Sequence, residues 1–139
     1  MNLKSFLNPI QEINYKFVVS SRFVDDDGSP VEWLLKPITD KEDAELRKSC
    51  TKKIPVVGKK GVYMPELDTN TYFTKLIVAC VVEPNLNLKD LQDGYRVMSA
   101  DDLLGTMLLA GERSELQSKV LEINGFKNDF ELLDEAKNS

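Results

Sequence analysis

The stretch from Tyr72 to Val82 constrains the fold of this chain more than any other. Tyr72, Phe73, Leu76, Ile77, Cys80 and Val81 fall at i, i+1, i+4, i+5, i+8 and i+9, which lays one wide apolar stripe along a helix. A stripe that wide must be covered by other elements, so the spacing predicts a central helix at the heart of the core. Asp68 or Thr69 is placed to cap its start and Pro84 to end it. The Val-rich end of the segment also fits a buried strand, because periodicity does not separate the two when a segment is apolar on several sides.

The first half of the chain supplies a sheet to pack on that helix. The run KFVVSSRF from Lys16 to Phe23 is rich in β-branched and aromatic residues, and a second run, VEWLLKPI, resumes at Val31. Between them lies Asp25-Asp26-Asp27-Gly28, where Asp-Gly supplies the positive φ angles of a tight turn. An antiparallel hairpin follows from this pattern. Thr39 and Glu42 then form a capping box that opens a short charged helix from Asp40 to Ser49, with Ala44 and Leu46 facing inward. Next, KKIPVVGKKGVYMPEL gives two short apolar runs around Gly58 to Gly61. Pro55 and Pro65 cannot donate to a ladder, so edge strands and an ordered loop both fit. Ahead of all this, Leu3, Phe6 and Leu7 before Pro9 suggest a loosely docked turn of helix.

The last third is a series of closely joined helical patterns. A short one spans Leu88 to Tyr95, and Ser99 with Asp102 caps another that carries Leu103, Leu104, Met107 and Leu108 on one face until Gly111 breaks it. Glu112 to Asn124 follows with Leu116, Val120 and Ile123 in register, closed by Asn124-Gly125 with Phe126 folding back on it. A final helix is expected from Asn128, using Phe130, Leu133 and Ala136. The fold class expected is therefore α+β in a single domain. Residues 1–84 form an N-terminal antiparallel β-hairpin sheet packed by a helix, and residues 85–139 a C-terminal helical subdomain.

Nothing in this pattern carries chemistry. The chain has no histidine, and its two cysteines, Cys50 and Cys80, stand far apart without a CxxC spacing, so no metal or cofactor is expected. Cys80 reads as a buried small hydrophobe and Cys50 as half exposed, both as reduced cytosolic thiols. A calcium loop starting at Asp25 would need Glu at its twelfth position, which is Lys36. Gly58-Lys59-Lys60-Gly61 lacks the spacing and the following helix of a phosphate loop. The paired acids Asp101-Asp102, and Asp90 with Asp93, suit helix N-termini better than a glycosidase pair. A net charge of −5 argues against a nucleic-acid partner. No apolar segment is long enough for a membrane span or shaped like a secretory signal, so the expected location is the cytoplasm.

What remains is the Leu and Met density of the closing helices. One helical turn cannot direct Leu103, Leu104, Met107, Leu108 and Leu109 inward together, so part of that area is expected at the surface. Leu103, Leu104, Met107, Leu108, Leu109 and Leu116 are the candidate partner-binding residues, forming a groove for an amphipathic helix.

Several segments, taken in order, resemble one family. They are SSRFVDDDGSPVEWLLKPIT (Ser20 to Thr39), ELRKSCTKK (Glu45 to Lys53), YFTKLIVACVVEP (Tyr72 to Pro84), LQDGYRVM and LLGTMLLAGE, then EINGF and AKN near the end. Together they resemble the XkdN-like tail assembly chaperones of Gram-positive phages and prophages with long tails, over nearly the whole chain. The chain departs from that pattern at Arg113, where the family tends to an aromatic, and at Gly94-Tyr95-Arg96, where it tends to Ser-Tyr-Gly. The resemblance implies a nonenzymatic protein of the bacterial host cytoplasm that binds the tape measure protein, keeps it soluble during tail-tube assembly and is absent from the mature virion. A frameshifted longer form of the chain, the tail-tube protein and a homo-oligomer are further partners it allows. The alternative is a structural tail component, such as a completion, tube or baseplate protein.

Overall fold

A computed structural model describes residues 1–10 and 13–126. The elements run β1 (Tyr15–Phe17), β2 (Trp33–Leu35), α1 (Asp40–Ser49), β3 (Thr51–Pro55), β4 (Tyr63–Leu67), α2 (Thr69–Cys80), β5 (Val81–Glu83), α3 (Lys89–Gly94), α4 (Ala100–Met107) and α5 (Ala110–Ile123). The α+β class is as the sequence implies. The final helix expected from Asn128 lies outside the described residues.

Helix α2 is the centre. Asp68 caps it by accepting from the Thr71 backbone N–H, and Tyr72, Phe73, Leu76, Ile77 and Cys80 are all buried. The ambiguity of its Val-rich end resolves into both structures at once: the helix stops at Cys80, and Val81 to Glu83 turn directly into β5. It therefore ends ahead of Pro84. Strand β5 pairs with β2, and β2 with β1, in one antiparallel sheet of order β1-β2-β5. Leu35 lies opposite both Tyr15 and Val81, and the Lys36 N–H extends the pairing by donating to the Cys80 carbonyl at 2.8 Å. On β2, Trp33 and Leu35 are buried with Leu34 between them less so, the alternation of a strand with one face on the core.

The hairpin between β1 and β2 is longer and less regular than its sequence suggests. Strand β1 covers only Tyr15 to Phe17, because the Ser20 hydroxyl captures the Arg22 N–H and turns the chain out of the ladder. Pairing resumes at the Val24–Pro30 bridge. The tip is a three-residue loop, with the Gly28 N–H donating to the Asp25 carbonyl and the Asp25 N–H to the Ser29 carbonyl, and only Gly28 takes a positive φ (84°). That is a type I turn with a glycine bulge. The Asp25 and Asp27 carboxylates accept from backbone N–H groups of the same turn.

Helix α1 begins with the expected capping box between Thr39 and Glu42. Its inward face differs: Asp43 is buried, Ala44 is exposed and Leu46 is half-buried. Asp43 is tolerated there because it receives the Tyr72 hydroxyl and pairs with Arg47 at 2.9 Å. Cys50, expected to be half exposed, is buried at the end of this helix.

Strands β3 and β4 form a separate two-stranded ribbon, packed mainly on each other. Hydrogen bonds from Val56 to Val62 and from Asp68 to Cys50 fix the bonded rows at even positions. The register pairs Lys53 with Pro65 and Pro55 with Tyr63, so both prolines fall in the non-bonded rows, whose N–H positions face outward. They remove no ladder bond, and the ribbon forms despite them.

Helices α4 and α5 complete the core. The Ser99 side chain caps α4 as expected, but α4 ends at Met107, not at Gly111; Leu108 and Leu109 are extended, and Gly111 lies inside α5. Splitting the LLGTMLL run between a helix and a link lets Leu103, Leu104 and Met107 face α2 together. All three are buried in one core cluster with Trp33, Leu76, Leu116, Val120 and Leu121. The end of α5 matches its sequence signature: the Gly125 N–H bonds the Glu122 carbonyl, the Phe126 N–H bonds the Leu121 carbonyl, and Gly125 has φ 86°. Just before it, Asn124 accepts the Ile38 N–H and donates to the Val120 carbonyl and the Cys80 sulfur. The end of α5 is thereby tied to both the β2–α1 link and α2.

Two substitutions test this packing. Leu104→Ala should cost about 2–5 kcal/mol in chemical denaturation, because the residue is fully buried between helices that cannot close over the gap. Arg96 holds φ 59°, a left-handed conformation that disfavours a side chain. Arg96→Gly should raise stability by about 0.5–1 kcal/mol, and an unchanged or lowered denaturation midpoint would show that no strain is relieved there.

Candidate partner-binding surface

The six residues expected to bind a partner divide sharply. Leu103, Leu104 and Leu116 are 0% exposed and Met107 is 6% exposed, so four of the six sit inside the fold. Leu108 is half-buried, and only Leu109, at 62%, is open. The groove expected on the closing helices is thus filled by the protein's own core. The reason is the break at Leu108: once α4 stops, its three apolar residues fit one face and α2 covers them.

An apolar cleft does exist nearby, built from other elements. It encloses about 350 Å³ and is lined by Phe23 and Val31 from the hairpin, Trp33 from β2, Pro84 after β5, Leu91 from α3 and Met107 at the end of α4. Glu32 and Glu83 stand at its edge. The Phe23 and Trp33 rings meet with centroids 6.1 Å apart. A hairpin alone would bring Phe23 and Val31 together across its turn. Pro84, Leu91 and Met107 arrive only through the tertiary fold, and no local signal announces them.

The wall of this cleft is held by one ion pair. Ser20 turns the chain so that Arg22 reaches α5, where its guanidinium donates to both carboxylate oxygens of Glu112 (2.6 and 3.4 Å) and to the Met107 carbonyl at 2.9 Å. The guanidinium also lies over the Phe23 ring at 4.9 Å. Glu112 accepts the Leu109 N–H at 2.8 Å, which satisfies one free donor at the start of α5. The Arg22 hydrogen bonds, with further bonds from Ser20 and the Leu109 backbone, hold the Glu112 carboxyl down to about 2. Hairpin, α4 and α5 therefore meet at one residue pair.

The titratable groups elsewhere are structural. Buried Asp43, bonded by the Tyr72 hydroxyl and by Arg47, fastens α1 to α2, and burial pushes the Tyr72 phenol up. The Asp43–Arg47 spacing of four residues is visible in the sequence as a helical ion pair. Burial likewise raises the Cys80 thiol to about 11, which leaves it a poor nucleophile. Arg113 bonds Thr74 at 3.0 Å, and its buried Nε has no partner among the described residues. No cluster of three or more metal-ligating side chains occurs among the described residues. No helix there is long and apolar enough to cross a membrane.

Fold and cleft together define a small α+β protein with an apolar cleft on its surface. The family described as "Phage XkdN-like tail assembly chaperone protein" matches residues 3–137. The chain is 33% identical to the phage-like element PBSX protein XkdN of Bacillus subtilis (strain 168), over 96% of this chain and 93% of that protein. It is 35% identical to the uncharacterized protein YqbN of the same strain, over 95% and 90% of the two chains. A crystal structure of the protein YqbN superposes with a TM-score of 0.72 at 29% identity, over 88% of this chain and 96% of the other. The chain belongs to the XkdN-like phage tail assembly chaperones, as its sequence segments implied.

The Arg22–Glu112 pair adds one acid-sensitive contribution to the fold, beside those of Asp27 and Asp68, whose carboxyls are also held low by hydrogen bonds. A carboxyl held near 2 against an ordinary value of 4.5 contributes stability that is complete above about 4.5 and is lost as pH falls through 2. Thermal melts of Glu112→Gln should accordingly show a lower midpoint than the parent at pH 7 and a smaller further drop between pH 4.5 and 2. Parallel curves for the two proteins would remove the pair from the acid response.

Proposed function

We propose that this chain binds the tape measure protein of its phage, keeps it soluble in the host cytoplasm while tail-tube subunits assemble, and is left out of the finished virion. The observation that carries this reading is the match to a tail assembly chaperone family over residues 3–137. The surface suits it. A tape measure chain presents apolar helical stripes before the tube encloses it, and such stripes aggregate unless covered. The cleft beside Phe23, Val31 and Leu91 offers a shallow apolar seat for one stripe at a time, with Met107 as an adaptable floor. Of the residues first expected at the interface, Leu108 and Leu109 keep exposed area, Met107 is buried but lines the cleft, and Leu103, Leu104 and Leu116 belong to the core. Shallow seats repeated over many copies give avidity while each contact stays releasable. The role calls for no catalytic group and no cofactor.

Co-expression with the tape measure protein of the same phage should raise the soluble yield of that protein and recover the two together. Val31→Asp, at the exposed rim of the cleft, should abolish the co-recovery without unfolding the chaperone. An unchanged yield with no co-purification overturns the proposal. Mass spectrometry of purified particles should find the chain absent, and its presence as a regular component would favour a structural tail part.

A further inference from the structure

We propose that the β3–β4 ribbon is a docking arm for an acidic amphipathic helix of a partner protein. The first support is charge. Residues 51–67 hold four lysines and one glutamate, a local +3 in a chain whose total is −5, so the remaining residues carry −8. Lys52 is engaged by Asp68 at 3.0 Å, whereas Lys53, Lys59 and Lys60 have no ion pair among the described residues. The second is an apolar face. Side chains alternate across the ribbon, so Ile54, Val56, Val62 and Met64 share one side, with Ile54 opposite Met64 in the register. Val62 is 45% and Met64 49% exposed. Ile54 and Val56 are half-buried, so the face is open mainly at Val62 and Met64, and a partner laid there would cover apolar area that a two-stranded ribbon does not cover for itself.

Size and sign define the occupant. From Thr51 to Val57 the ribbon extends roughly 20 Å at its strand rise, the length of a helix of about four turns. An apolar helical stripe would rest on Ile54, Val56, Val62 and Met64, and acidic residues at one end of it would meet Lys59 and Lys60 of the connecting turn, while Lys53 falls on the opposite side. A nucleic acid or an anionic membrane fits less well, because the −8 carried by the rest of the chain repels an extended polyanion while three free lysines attract it. A short acidic helix touches the ribbon alone. The inference rests on the ribbon and holds whichever protein supplies the helix, the tape measure or another.

The test is fluorescence anisotropy on the full chain with a labelled synthetic peptide of about 16 residues, leucines at i, i+3, i+4 and glutamates elsewhere. The controls are the same peptide with lysines for glutamates, phosphatidylglycerol vesicles and a short DNA duplex. The acidic peptide should bind saturably, the lysine peptide should not, and added salt should weaken binding to the parent protein, a readout that needs no variant to fold. Combining Lys59→Glu and Lys60→Glu should weaken binding on the order of tenfold or more, as should Met64→Asp, whereas Lys53→Glu, on the opposite side, should have a smaller effect. Four results would overturn the inference: no saturable binding, equal affinity for the two peptides, tighter binding to vesicles or DNA, or ribbon variants that alter only the oligomeric mass and leave peptide binding intact.

Discussion

The structure depends on the direct fusion of α2 to β5. Cys80 is the last helical residue and Val81 the first of the strand, with no connecting loop, so the central stripe and the sheet edge are set by one backbone. The Cys80 carbonyl, released from the helix, accepts the Lys36 N–H and locks β2 beside the junction. Once β2 is fixed there, Trp33 and Leu35 must face α2, and α4 and α5 have a single apolar surface on which to settle. Asn124 closes the arrangement from the other side, with one oxygen and one nitrogen serving the β2–α1 link, α2 and its own helix. Stability here comes from apolar burial around a rigid helix, and the polar groups mainly set orientation.

Local chemistry was the legible part of the sequence. The Thr39–Glu42 box, the Ser99 cap and the Leu121 to Phe126 closure each need only a few neighbouring residues, and each stands where its residues indicated. Features decided by distant neighbours were not legible. Asp43 replaces Ala44 as the inward residue of α1 because Tyr72, nearly thirty positions away, offers it a hydroxyl. Cys50 is enclosed where β4 returns to the start of α2 and the Asp68 N–H bonds the Cys50 carbonyl. Counting Leu and Met between 103 and 109 gave an excess only under the assumption of one continuous helix, and the extended Leu108–Leu109 link dissolves it. The cleft escaped notice for the same reason, since its walls come from five separate parts of the chain. The departure at Arg96 was visible, and its consequence, a side chain where the backbone favours glycine, appeared only with the φ angle.

Two surfaces of opposite character emerge on one small chain. The cleft is apolar with Glu32 and Glu83 at its edge, and the ribbon is apolar with lysines at its edge. A partner rich in helices of mixed charge could engage both, each contact weak and each favouring a different helix. If both proposed contacts form, recognition is spread over two surfaces and does not rest on a single deep pocket.

Proline placement in the ribbon has a further consequence. Pro55 and Pro65 leave the internal ladder intact but blunt the two outer margins, each of which lacks one amide where an incoming strand would dock. An uninterrupted margin would offer its free amides and carbonyls to any extended neighbour. With both margins interrupted, the ribbon resists growth at its borders while its flat sides stay open.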